Sequence, residues 1–139
     1  MSVSKSGLNV GDSKTMVVID NLTRSQIVMY AGASGDYNPL HSDEIFTTQV
    51  AGYPSVFAHG MLSMGATGRL VTDWFGAENV AYYGVRFVNQ VWPGDTLTAR
   101  ATVSEITEEN GQPLAAISVE TVNQDGAVVV SGTAKAKLH

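Results

Sequence analysis

From residue 80 to the C-terminus the chain alternates. Leu97, Ala99, Ala101 and Val103 take turns with Thr98, Arg100, Thr102 and Ser104. Ala115, Ile117 and Val119 take turns with Ala116, Ser118 and Glu120. Val128, Val130, Ala134, Ala136 and Leu138 are opposed by Val129, Ser131, Thr133, Lys135 and Lys137. A period of two is that of a half-buried strand. Asn110-Gly111 and Asp125-Gly126 are turn signals between the runs. Trp92-Pro93-Gly94-Asp95 breaks the extended run 80–91. This half predicts an antiparallel meander with one buried face.

The first half reads differently. Residues 15–19 (TMVVI) form a short β-branched run and predict a strand. Thr23 is an N-cap candidate with Gln26 three residues on, a partial capping box. Ile27, Val28 and Tyr30 follow as a short apolar face, which Gly32, Gly35 and Asn38-Pro39 are expected to break. Residues 42–50 suggest another short helix with Ser42 as its N-cap, ended by Gly52-Tyr53-Pro54. Residues 60–75 (GMLSMGATGRLVTDWF) carry the strongest helical pattern, with Met61, Met64, Leu70 and Trp74 near helical spacing. Gly60, Ser63, Gly65, Ala66 and Gly68 are small, as where something approaches a helix backbone closely. Arg69 and Asp73 are spaced to pair, and Gly76 is placed to end the helix. Long one-faced strands need a cover, and this helix is the candidate. The fold class expected is α+β, a curved antiparallel sheet wrapped around one long central helix.

Length and composition narrow the function. A chain of 139 residues is one domain's worth, so residues 1–139 are read as a single domain. Charged residues are 15% of the chain against a usual ~25%, which favours burial of surface in an oligomer. The net charge is −5 and the pI near 4.9, with no basic stripe for nucleic acid or an anionic membrane surface. The absence of cysteine excludes disulfides, thiolate metal sites and a Cys nucleophile. Residues 1–14 lack the apolar core of a signal peptide, and no run is long enough to span a bilayer. The expected location is the cytoplasm.

The candidate chemistry lies in residues 30–41, YAGASGDYNPLH. An acid, an amide and an imidazole fall within six residues (Asp36, Asn38, His41), in a stretch too rich in glycine and proline to be regular. Pro39 stiffens it and biases Asn38 toward an extended conformation. A carboxylate and an imidazole sharing one water can remove and return a proton near neutral pH. The competing reading is a turn in which Asp36 and Asn38 cap backbone amides and His41 lies at the surface. A metal site has too few ligands, since His59 would have to be recruited from a distance. A second constellation, Phe57-Ala58-His59-Gly60-Met61-Leu62, opens the central helix. Its free N–H groups suit a thioester carbonyl gaining negative charge, with Gly60 leaving its amide accessible. His59 is read first as a hydrogen-bonded structural residue.

The string Y-x-x-x-S-G-D-x-N-P-L-H, then A-H-G-M-L about twenty residues later, then R-F-V-N-Q-V-W-P-G-D-T-L at 86–97, resembles the MaoC-like, R-specific enoyl-thioester hydratase/dehydratase family of single-hotdog type. The resemblance covers about residues 8–138. It implies a hotdog fold and interconversion of trans-2-enoyl and (3R)-3-hydroxyacyl thioesters, on coenzyme A or acyl carrier protein, with one water, no cofactor and no metal. It implies a homodimer joined sheet edge to sheet edge, or a heterodimer with a related hotdog subunit. It implies Asp36 and His41 as the catalytic dyad, Asn38 and Ser34 in support, and Gly60 as the carbonyl-binding amide. It implies an acyl pocket near Tyr37, Phe57, His59, Met61, Thr67 and Gly68. At Gly68 the chain departs from R-hydratases that carry serine there, so chain-length preference does not carry over.

Three other readings stay open. One is the catalytic subunit of a heterodimeric (3R)-hydroxyacyl-carrier-protein dehydratase. Another is a hotdog acyl-CoA thioesterase, which the fold permits and the Asp-x-Asn-Pro-Leu-His string opposes. The third is a non-catalytic acyl-thioester-binding subunit, which the intact dyad opposes.

Overall fold

Five strands form one antiparallel sheet in the computed structural model, which describes residues 3–139. Met1 and Ser2, the start of the segment read above for a signal peptide, lie outside the described residues. The strands are β1 (Ser13–Ile19), β2 (Val80–Phe87), β3 (Leu97–Glu109), β4 (Gln112–Val122) and β5 (Val128–Lys137). Their order across the sheet is β1-β3-β4-β5-β2. The hairpin of β3 and β4 closes at Asn110-Gly111, with Glu109 opposite Gln112. Asn123 Oδ1 closes the next turn by accepting from the amides of Asp125 and Ala127, each at 3.0 Å. These local rules place β3, β4 and β5 side by side, as the alternation predicts.

The run 80–91 does not join that meander in sequence order. It ends as a strand at Phe87, and β2 pairs with β5, Phe87 opposite Val130. The chain then leaves the sheet edge, with Val88 N–H donating to Val129 O and Ala58 N–H donating to Val91 O, both near helix α2 (Gly60–Phe75). Buried Asp95 turns it toward β3, accepting from Trp92 N–H at 2.9 Å and from Gln124 Nε2 at 2.9 Å. Strand β3 therefore starts on the far side of the sheet, next to β1.

Helix α2 touches all five strands and has the bounds its sequence predicts. Its buried face is Ser63, Thr67, Leu70, Val71, Trp74 and Phe75. This corrects the expected phase, since Met61 is 56% exposed. Five alanines (Ala99, Ala101, Ala115, Ala134, Ala136) are buried on the sheet among larger residues such as Leu97, Val103, Ile117 and Val119. Small residues on both sides let helix and sheet approach closely, while Met61 turns outward and Met64 is half-buried. Thr67 and Thr121 share a buried hydroxyl–hydroxyl bond of 2.6 Å across that seam. Arg69 is directed at Met16 Sδ, 3.8 Å away, and no ion pair with Asp73 forms among the described residues.

That hydroxyl bond gives a stability prediction. Thr67→Val leaves the Thr121 hydroxyl buried and unpaired and is expected to cost about 1–3 kcal/mol. Adding Thr121→Val should recover most of the loss, because no polar atom is then stranded. Chemical denaturation of the wild type and the two variants checks this; a double variant no better than the single contradicts it.

Helix α1 (Arg24–Ser34) has the complete capping box, Gln26 N–H to Thr23 Oγ1 at 3.0 Å and Thr23 N–H to Gln26 Oε1 at 2.9 Å. It buries Ile27 and Ala31, while Val28 is exposed. It runs through Gly32, where a break was expected. One exposed helical glycine costs only about 1 kcal/mol, which the capping and the buried pair offset. In 42–50 the cap is Asp43, not Ser42: Phe46 N–H donates to Asp43 Oδ1 at 3.0 Å. The segment ends as a wide turn, Phe46–Val50.

Candidate active site

Gly35 ends α1 at φ 75°, a left-handed conformation that a residue without Cβ adopts at little cost, and turns the chain into the loop 36–41. There three side-chain oxygens each accept an amide two residues ahead: Asp36 N–H to Ser34 Oγ at 3.2 Å, Asn38 N–H to Asp36 Oδ1 at 3.2 Å, and Leu40 N–H to Asn38 Oδ1 at 3.0 Å. The turn reading therefore describes this segment well. It is also what aims the carboxylate, because one Asp36 oxygen is fixed on the backbone and the other is left over. Pro39 starts a single 3-10 turn, Pro39–His41, that folds His41 back beneath the loop.

His41 is held by its other side. Its Nδ1 lies 2.6 Å from Phe57 O, so the N–H donor sits on Nδ1 and Nε2 carries the free lone pair. Burial pushes the His41 pKa below the usual 6.5, and neighbouring His59 pushes the same way. The hydrogen bond to Phe57 and the Asp36 charge oppose that shift without reversing it. The neutral ring is the favoured form.

His59 lies directly behind His41, rings stacked at 3.9 Å and 25°. Its Nε2 donates to the backbone carbonyl of Asp36 at 3.0 Å, and Tyr30 meets its ring edge-on at 4.8 Å. At 2% exposed, His59 is a positioning residue that ties the acid's backbone to the imidazole's ring. Phe57, whose carbonyl orients His41, is packed by Tyr53 and Trp92.

A cavity of about 230 Å³ opens beside the dyad, lined by His41, Phe57, Gly60, Ser63 and, across from them, Phe87 and 88–91 with Val129 and Val130. No side chain caps the N-terminus of α2, which leaves first-turn amides unclaimed by a cap at the cavity wall. Gly60 is small for a reason the sequence does not display: a Cβ there would sit 2.6 Å from the Phe87 ring.

The structure thus brings together Asp36, His41, His59, Phe57 and Gly60. Ser34 and Asn38 act through the loop backbone. Of the residues expected at the pocket, Tyr37 is 71% exposed and Met61 also points outward. Thr67 faces Thr121, Gly68 lies beneath the Tyr83 ring, and His59 sits behind His41. None of these five lines the cavity. Ser63, Phe87, Val129 and Val130 do, and sequence reasoning did not pick them as site residues. For Ser63 a signal existed in the small residues of the helix.

His59 needs no recruiting from a distance. Ligand atoms of Asp36, His41 and His59 lie within 4.8 Å of one another. The donor set still suits proton transfer better than a metal. Each imidazole has one nitrogen engaged on a carbonyl, which leaves one nitrogen apiece and one carboxylate, with the two rings stacked at 3.9 Å.

Comparison with known proteins gives the same region a family. The model of the MaoC like domain matches residues 8–125. The 3-hydroxyacyl-thioester dehydratase Y of Mycobacterium tuberculosis is 38% identical over 78% of the chain, which spans 37% of that protein's length. The (R)-specific enoyl-CoA hydratase of Aeromonas caviae is 30% identical over 82% of the chain and 84% of its own. The unliganded R-hydratase PhaJ1 of Pseudomonas aeruginosa superposes with a TM-score of 0.82 at 25% identity, over 99% of the chain and 88% of its own.

Proposed function

Because the chain belongs to the family of MaoC-like domains, we propose that it interconverts trans-2-enoyl thioesters and (3R)-3-hydroxyacyl thioesters by adding or removing one water. The observation that carries this reading is the dyad: a carboxylate within 4.8 Å of an imidazole that has a free Nε2 and lines the cavity, beside an uncapped helix N-terminus. Names borne by relatives, a dehydratase of hydroxyacyl thioesters and a hydratase of enoyl-CoA, support the substrate class.

One water lies between Asp36 and His41. His41 Nε2 takes its proton as the hydroxyl oxygen bonds to C3. The C2–C3 π pair moves toward the thioester, and the carbonyl oxygen gains the charge. The Gly60 amide and the dipole of α2 stabilise it. C2 then takes a proton back from the dyad, and the carbonyl re-forms.

The pH dependence follows from the His41 shift. The base must be neutral, and its pKa lies below 6.5. Activity should therefore be high at pH 7 and pass its half-point on acidification only below pH 6.5, since a lowered pKa delays protonation. A profile of kcat/KM already falling between pH 8 and 7 contradicts this assignment.

The domain spans residues 1–139, and its partner is a second copy or a related hotdog subunit. Strand β2 is an edge of the sheet with Tyr82 and Phe87 exposed, an apolar edge suited to continuing the sheet into a neighbour. No helix among the described residues is long and apolar enough to cross a membrane, which fits the cytoplasmic reading. The test is loss of enoyl-thioester absorbance from crotonyl-CoA, with free thiol measured alongside. Absorbance loss without thiol release supports the hydratase. Thiol release from butyryl-CoA as well would support a thioesterase and overturn the reading.

A further inference from the structure

Ser63 is 2% exposed, lines the cavity, and its Oγ has no hydrogen-bond partner among the described residues. A buried hydroxyl without a partner calls for an explanation. Hydroxyls in helical segments ordinarily bond back to a carbonyl one turn earlier. Here Thr47 does so to Asp43 O at 2.7 Å, Thr48 to Glu44 O at 2.7 Å, and Thr72 to Arg69 O at 3.2 Å. Ser63 makes no such bond. His59 Nδ1 is likewise unpartnered, but His59 stands behind His41 and does not line the cavity. The Ser63 hydroxyl is therefore the unmet donor that a bound molecule can reach.

Its position says which part of that molecule. Ser63 lies one turn after Gly60, and helical side chains lean back toward the N-terminus. The hydroxyl and the uncapped first-turn amides thus border one end of the same cavity. We propose that Ser63 donates its hydroxyl proton to the carbonyl oxygen of the bound thioester, as a second donor beside the Gly60 amide. The inference rests on the thioester reading of this cavity. The bond is made in the ground state and strengthens as charge builds on that oxygen during attack at C3. No covalent step passes through Ser63, and its proton stays on Oγ throughout.

The test uses two measurements on the full chain and its Ser63→Ala variant. Infrared difference spectra with butyryl-CoA carrying ¹³C at the carbonyl read the donors without requiring turnover. The wild-type protein should shift the carbonyl band to lower frequency than in free ligand, and Ser63→Ala should give part of that shift back. With crotonyl-CoA, kcat should fall on the order of 10²-fold while KM rises by a much smaller factor, because the bond strengthens after binding. Thermal stability should not fall, since alanine removes an unsatisfied polar atom. Identical band positions in the two proteins, or a kcat within tenfold of wild type, would overturn the role of Ser63 and leave the site standing. No bound carbonyl band in the wild-type protein would contradict the thioester site itself, and this inference with it.

Discussion

Asp36→Asn is expected to lower kcat for crotonyl-CoA hydration on the order of 10³-fold, about 4 kcal/mol of barrier, with little change in melting temperature. The separation of activity from stability comes from the loop. One carboxylate oxygen of Asp36 accepts the Asn38 amide at 3.2 Å, and an asparagine oxygen can keep that bond. The main chain at 36 is also tied to His59 through its carbonyl, which the substitution does not touch. What changes is the remaining oxygen, which becomes an amide nitrogen without charge or basicity. Paired steady-state rates and thermal melts check the expectation. A variant that melts normally and turns over within tenfold of wild type would remove the acid from the chemistry.

His41→Ala is expected to lose a similar factor, roughly 10²–10⁴, and to differ in a second way. The imidazole supplies the free Nε2, but it also bonds to Phe57 O at 2.6 Å and stacks on His59 at 3.9 Å. Its removal strands one carbonyl and exposes one face of a buried ring. Stability should fall by about 1–2 kcal/mol, where Asp36→Asn leaves it unchanged. Added imidazole should restore part of the rate if the vacated space binds it. A His41→Ala variant that keeps normal turnover would sink the dyad. One that unfolds would be replaced by His41→Asn, whose shorter amide can still reach a donor role but offers no basic nitrogen.

What the sequence made legible is local. The capping box at Thr23 and Gln26, the Asn110-Gly111 turn and the limits of α2 at Gly60–Phe75 each depend on residues a few positions apart. So does the Asp36–His41 loop, whose three nested amide bonds each span two residues. What stayed hidden depends on distant parts of the chain. Strand β2 pairs with β5 because 88–91 leaves the sheet to cross the start of α2, and no periodicity encodes that crossing. The outward turn of Met61 was not hidden in this way, since nine residues from buried Leu70 is about half a turn out of phase at 3.6 residues per turn. Ser63 became a cavity residue only through Phe87 and Val129–Val130 opposite it. His59, eighteen residues from His41, becomes its stacking partner through a loop whose shape Pro39 and Phe57 set together.

One water held between Asp36 and His41 adds to an enoyl thioester on one face only. The most direct measurement is the configuration at C3 of the product that the purified chain forms from crotonyl-CoA. The expected product is (3R)-3-hydroxybutyryl-CoA, formed on the order of 10³-fold more slowly by Asp36→Asn. Formation of the (3S) alcohol, or of either alcohol at an undiminished rate in Asp36→Asn, would contradict it.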